Sequence, residues 1–241
     1  MERWAPNRCG VGRHDGILTL GIAGYLMVPV APVNCASNDN CVMEPALILA
    51  SESPRRRELL ATLAVPFEVC PCPWREPPEK PRGANPRAWA MALAYFKARA
   101  VAEQNAGRWV LGADTVVACD DELLGKPRDR ADAERMLRLQ AGRESEVITG
   151  VALVEVGDGA ERMLAASATR VWMRADDVEI AAYLRSGDWV GKAGAYGIQN
   201  IGERLIERID GSFSNVVGLP LETVARLLER VAAPVTLPRS G

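Results

Sequence analysis

From residue 46 onward the sequence predicts an α/β fold, and three observations carry that reading. Short apolar runs bounded by turn residues alternate with stretches whose apolar residues recur at helical spacing. Serine, asparagine and aspartate stand where the helical stretches begin, twice with proline directly after. The bulk composition, 48% hydrophobic and 25% charged, suits a globular enzyme with a sizeable core.

Each element follows in order. Leu47-Ile48-Leu49-Ala50 reads as a buried strand, and Ser53-Pro54 caps the helix after it. Pro66–Val69 reads as a second strand. Asn85-Pro86 opens a helix to about Gln104, whose Trp89, Leu93, Phe96 and Ala100 fall on one expected apolar face. Trp109–Cys119 reads as a strand and Glu122–Asp129 as a loop. Asp129–Leu139 reads as a helix with Ala133, Met136 and Leu137 inward. Glu146–Val156 and Met163–Met173 form an expected hairpin around Gly157-Asp158-Gly159. Asp176 caps a helix ending near Ser186-Gly187, Glu203–Ile209 reads as a strand, and Pro220–Val231 as the last helix.

Residues 1–44 read differently. Ile17–Val33 is apolar but holds Pro29 and Pro32, which makes it a poor membrane helix. With Arg3, Arg8 and Arg13 before it, it faintly resembles a signal peptide. The preferred reading is an upstream extension without a role, with Met43 as the natural start. The expected domain is then 45–233, followed by a tail at 234–241.

Composition excludes some chemistry. The only histidine, His14, lies in that extension, so Ser-His-Asp, Cys-His and histidine–zinc sites are disfavoured. Catalysis would rest on carboxylates, lysine, arginine or a metal. A net charge of −2 gives no electrostatic case for nucleic-acid binding. Cys70-Pro71-Cys72 lacks a second pair at zinc spacing, so reduced thiols of a cytoplasmic protein are the preferred reading of the cysteines.

Several stretches could carry chemistry. In Ser51-Glu52-Ser53-Pro54-Arg55-Arg56-Arg57 a strand enters a serine loop and a helix begins. Arginines in a first helical turn oppose the helix dipole, yet suit a site where an anion sits. Asp114 interrupts the apolar strand Val110–Val117, and a buried carboxylate needs a partner or a metal. Gly125 and Pro127 present Lys126 on stiff backbone, as a phosphate ligand or a solvated lysine. Lys97 lies on the apolar side of its helix, where lysines snorkel unless a charged site is near. Gly191–Gln199, with three glycines, lets backbone approach a ligand, and Gln199 offers an amide to a base edge. Ser212–Leu221 is read as packing.

In their order, LASESPRRRELL, FKARA, GADTVV, GKPRD, KAGAYGIQ and GSFSNVVGLPL resemble the Maf family of nucleoside triphosphate pyrophosphatases over about residues 46–230. The resemblance implies an elongated mixed sheet flanked by helices, with two lobes and a cleft, as in the related inosine triphosphatases. It implies hydrolysis between the α and β phosphates to a monophosphate and pyrophosphate, with magnesium or manganese. Carried over by motif, Ser51, Arg55, Arg56 and Lys97 would bind the triphosphate, and Lys126 would act at its phosphates. Asp114 would be the proton acceptor, and Glu76 would join it at the metal. Arg55, Thr115 and Gln199 would mark substrate choice. The GADT and KAGAYGIQ runs resemble the dTTP/UTP subgroup, whereas the 7-methyl-GTP subgroup looks like Gly-Ser-Asp-Gln and Cys-Ala-Gly-Ser. Asn200 departs from a glycine common after that glutamine, and the crowded Trp74–Pro78 segment loosens the match at Glu76.

The resemblance points to a cytoplasmic homodimer without nucleic-acid or membrane partners. A rival from another class is a non-catalytic, nucleotide-binding regulator of septum formation. A second rival is a broader pyrophosphatase for modified pyrimidine triphosphates.

Overall fold

The computed structural model describes residues 47–77, 83–157 and 160–231. The expected extension 1–44 with Met43, the tail 234–241, and the Asp158-Gly159 turn tip lie outside the described residues.

Seven strands form one mixed sheet in the order β2-β1-β3-β5-β6-β7, with β4 also on β3. The strands are β1 (Leu47–Leu49), β2 (Phe67–Val69), β3 (Val110–Cys119), β4 (Glu122–Leu124), β5 (Glu144–Val154), β6 (Arg162–Met173) and β7 (Ile206–Asp210). The helices are α1 (Pro54–Ala61), α2 (Pro86–Ala102), α3 (Arg130–Gln140), α4 (Asp177–Ser186), α5 (Phe213–Val217) and α6 (Leu221–Leu228). β1 lies parallel to β2 and β3, while β3, β5, β6 and β7 run antiparallel. The α/β reading therefore holds, with a mixed sheet.

The helix starts are as their sequence implies. Asn85 accepts from the N–H groups of Arg87 and Ala88 at 3.0 and 3.2 Å, satisfying donors that a first turn leaves open. Asp176 does the same for Val178 and Glu179 at 2.9 and 3.1 Å, and Gly187 ends α4 at φ 76°, a conformation that favours glycine. Three expectations shift. Glu122–Leu124, read as loop, pairs with Val117–Cys119. The strand expected over 203–209 begins at Ile206, because residues 200–205 wind into 3₁₀ turns. Ser212–Leu221 contains a short helix, α5.

The expected face of α2 is also corrected. Leu93 is buried, but Phe96 is 45% exposed and stacks on Trp74 with ring centroids 5.5 Å apart. The face against the sheet is Ala90, Leu93, Ala94, Ala98 and Val101. Helical spacing fixes a stripe but leaves its rotation open when small and large residues both fit. Here backbone proximity decides. A Cβ on Gly112 would lie 2.3 Å from the Ala94 carbonyl oxygen, and one on Gly150 would lie 2.2 Å from that of Ala90. The helix backbone rests on two glycines of neighbouring strands, and alanines are what that spacing admits.

β3 changes partner along one edge. Its start pairs with β1 through Leu111 and its end with β4 from Val117, while β5 pairs along the whole opposite edge. Between Leu111 and Val117 no strand covers that edge among the described residues. The Leu111 carbonyl accepts from Ala50 N–H, so by alternation the main-chain groups of Ala113 and Thr115 face the gap. Side chains alternate too: Asp114 shares its face with Gly112 and α2, and Thr115 points to the other face.

Gly150→Ala is expected to lower stability by about 1–3 kcal/mol or more, because the clash is with backbone. The check is the urea midpoint; a midpoint at or above the native one would show that α2 does not lie this close.

Candidate active site

A cleft of about 380 Å³ opens at the gap in the edge of β3. Its walls are the start of α1, the middle of β3 with Val147 of β5 beside it, the loop after β4, residues 191–199 and the end of α5.

From the α2 side comes Lys97. The close seat of α2 on Gly112 brings its ammonium to Asp114, and the two form an ion pair. Asp114 is 4% exposed, so without this cation its carboxylate would bear a large desolvation cost. Lys97 also lies 3.9 Å from a Glu76 oxygen. The snorkelling alternative for Lys97 is thereby corrected: a charged site is near, and the side chain turns inward to it.

From the opposite face comes Arg56. Its Nε donates to the Gly218 carbonyl at 2.8 Å and its Nη2 to Thr115 Oγ1 at 3.1 Å. It is held by neutral acceptors and pairs with no carboxylate within salt-bridge distance among the described residues. Burial pulls its guanidinium below the usual arginine value, with Asp114 opposing and Arg55 adding to the effect.

Lys126 enters from the loop after β4. Burial first, then the fields of Lys97 and Arg56, push its ammonium below the usual lysine value, while Asp114 and Glu76 pull the other way. Lys192 lies across the cleft, its stem along Gly197 and its Nζ 3.4 Å from the Tyr183 hydroxyl. Burial lowers its pKa, Asp188 opposes this and Arg55 reinforces it. Arg55, Lys126 and Lys192 line the cleft with no ion pair among the described residues. The cleft holds four cations, Arg55, Arg56, Lys126 and Lys192, against two carboxylates, Asp114 and Glu58, and a polyanion would balance that excess.

The structure thus brings Arg55, Arg56, Asp114, Thr115, Lys126 and Gln199 to one cleft. Lys97 and Glu76 stand behind Asp114, joined to it through the lysine ammonium. Ser51 is placed differently: it is buried, its hydroxyl accepts from Ser53 N–H at 3.2 Å, and Ser53 rather than Ser51 lines the cleft.

Two features were not singled out in the sequence. Lys192 sits inside the Gly191–Gln199 run, where the glycines drew the reading and the lysine did not. Tyr183 is buried, and its hydroxyl accepts from Gly197 N–H at 3.1 Å and donates to the Asp188 carbonyl at 3.1 Å, fastening that loop. An aromatic on a helix gives no sequence sign of such a bond.

The profile of the Maf family, described as Maf-like protein, matches residues 46–231. The dTTP/UTP pyrophosphatase of Geobacter sulfurreducens is 46% identical over 188 residues, covering 78% of this chain and 97% of that protein. That of Deinococcus radiodurans is 46% identical over 188 residues, covering 76% and 92%. That of Ruminiclostridium cellulolyticum is 41% identical over 185 residues, covering 77% and 95%.

Lys126 with a lowered pKa sheds its proton earlier than a free lysine as pH rises, and a bound polyanion raises that pKa again. Affinity for a triphosphate is therefore expected to fall on the alkaline side, starting below the ordinary lysine range. In Lys126→Arg the fall should move to higher pH. Titration calorimetry across pH checks this, and an unmoved fall would assign it to another group.

Proposed function

The chain belongs to the Maf family, and on that premise we propose that it is a nucleoside triphosphate pyrophosphatase acting on dTTP and UTP. The observation that carries the proposal is the convergence of Asp114 with Arg55, Arg56 and Lys126 on one cleft. The relatives named dTTP/UTP pyrophosphatase support the substrate class. The products would be the nucleoside monophosphate and pyrophosphate.

The donor set fits a divalent ion held jointly with substrate. Among the described residues no three His, Cys, Asp or Glu side chains gather as a metal cage. Two carboxylates, Glu76 and Asp114, do approach one positive centre, the Lys97 ammonium. Magnesium or manganese is suited by few carboxylates with phosphate oxygens and water completing the shell. Such an ion would neutralise phosphate charge and polarise the phosphorus centre.

The remaining work falls to side chains. Lys97 holds one oxygen of Asp114. The carboxylate orients a water and takes its proton as the water oxygen attacks phosphorus in line. The bond to the bridging oxygen breaks and its electrons leave with pyrophosphate. Arg55, Arg56 and Lys126 spread the charge that grows on the phosphates, usually the largest catalytic term. A leaving group so neutralised needs no protonating histidine, in keeping with a described region that has none. Gln199 and Lys192 line the same cleft, where base and sugar edges would meet donors.

No helix among the described residues is long and apolar enough to cross a membrane. Among the described residues Cys72 and Cys119 carry free thiols, which suits the reducing cytoplasm proposed as its compartment. A homodimer rests on the family resemblance. Named pyrophosphatase relatives and a buried, cation-held carboxylate favour turnover over a binding-only regulator.

Pyrophosphate release from dTTP and UTP, set against CTP, GTP and ATP at fixed metal, tests the substrate class. Asp114→Asn is expected to keep the fold, read from circular dichroism, and lose at least about two orders of magnitude in turnover. Near-normal turnover would remove Asp114 from its role. Chelation should abolish activity and added magnesium or manganese restore it; turnover that persists in excess chelator would exclude the metal.

A further inference from the structure

The Ser212–Leu221 segment, expected to serve packing alone, holds Arg56 at two points. Gly218, at the end of α5, accepts from Nε directly. Asn215, inside α5, reaches the same guanidinium through two hydroxyls. Thr149 Oγ1 donates to the Asn215 main-chain carbonyl at 3.1 Å. Thr149 Oγ1 lies 3.0 Å from Thr115 Oγ1, and Thr115 Oγ1 accepts from Arg56 Nη2 at 3.1 Å.

Counting hydrogens fixes the direction of this chain. A carbonyl only accepts, so the single hydroxyl hydrogen of Thr149 is committed to Asn215. Thr149 can then only accept from Thr115, which spends the one hydrogen of Thr115. The lone pairs left on Thr115 take the Arg56 N–H. Every bond points the same way, Arg56 to Thr115 to Thr149 to the Asn215 carbonyl, and aligned bonds polarise one another. Thr149 and Asn215 are both fully buried, so no water substitutes for a lost link.

The far end is anchored. Asn215 Nδ2 donates to the Val147 carbonyl at 2.9 Å and to Thr169 Oγ1 at 3.0 Å. Thr169 Oγ1 in turn donates to the Ser212 carbonyl at 3.1 Å and accepts from Ser212 N–H at 3.1 Å. Three strands, β3, β5 and β6, and both ends of α5 are tied together behind one guanidinium.

We infer that Thr149 and Asn215 are positioning residues for Arg56, and that Thr115 acts on the substrate through Arg56 rather than by donating a hydrogen bond to it. With the relay intact Thr115 has no hydrogen to offer a ligand. Arg56 keeps three of its five N–H bonds, and the relay fixes where they aim. The inference rests on the proposed reading that this cleft binds a nucleoside triphosphate.

Thr149→Val keeps the shape and removes the hydroxyl. It is expected to weaken binding of the α,β-imido analogue of dUTP, measured by calorimetry, by about tenfold, or about 1.4 kcal/mol. kcat/KM for dTTP should fall by a similar factor, while Thr149→Ser stays near the native protein. In a Thr115→Val background, where the relay is already cut, Thr149→Val should cost no further affinity. The same loss in both backgrounds would overturn the inference, as would native affinity in Thr149→Val accompanied only by a lower melting temperature. Should Thr149→Val not fold, Thr149→Ala removes the same hydroxyl without setting a methyl against the Asn215 carbonyl, and carries the same comparison. A native protein that binds the analogue but releases no pyrophosphate would sink the catalytic reading and leave the relay standing. One that does not bind the analogue would sink both.

Discussion

A carboxylate 4% exposed in the middle of a strand is the constraint around which this fold is arranged. Asp114 is tolerable there only because a cation reaches it, and Lys97 reaches it only because α2 lies directly on the sheet. That approach needs glycine on two neighbouring strands: Gly112 two residues before Asp114, and Gly150 opposite it in register. Stability and chemistry thus share residues. Removing Lys97 alone would strand a buried charge, a change that in general costs about 3–5 kcal/mol.

The edge of β3 makes the carboxylate useful as well as tolerable. Because β1 stops short and β4 starts late, one stretch of strand meets a cleft instead of a neighbour. Consecutive residues, Asp114 and Thr115, then serve the cleft from opposite faces of the sheet. One is governed from α2 by Lys97 and the other from α1 and α5 by Arg56. A continuous sheet would have separated them.

Much of this was legible in the sequence. The caps at Ser53, Asn85 and Asp176 were readable because their bonds are local. Asp114 stood out because a charge in an apolar run has few explanations. What stayed hidden depended on tertiary distance. The rotation of α2 is set by Gly112 and Gly150, far along the chain, so Phe96 falls on the stripe that helical spacing predicts and yet lies outside. The three residues of β4 exist as a strand only because β3 supplies a partner. Asn215 and Thr149 are ordinary polar residues until the carbonyl and hydroxyl they meet are known.

The cluster of cations in the cleft has a thermodynamic consequence for the whole chain. Arg55, Lys126 and Lys192 face one space with Arg56, and none of the three is held in an ion pair among the described residues, so their mutual repulsion is only partly offset by Asp114 and Glu58. Any polyanion that binds the native state and not the unfolded chain relieves it. By mass action, a ligand at a hundred times its dissociation constant adds about 2.7 kcal/mol to folding stability. The nucleotide pool would then help set how long each copy of the enzyme survives, and starvation for triphosphates would thin the population that consumes them.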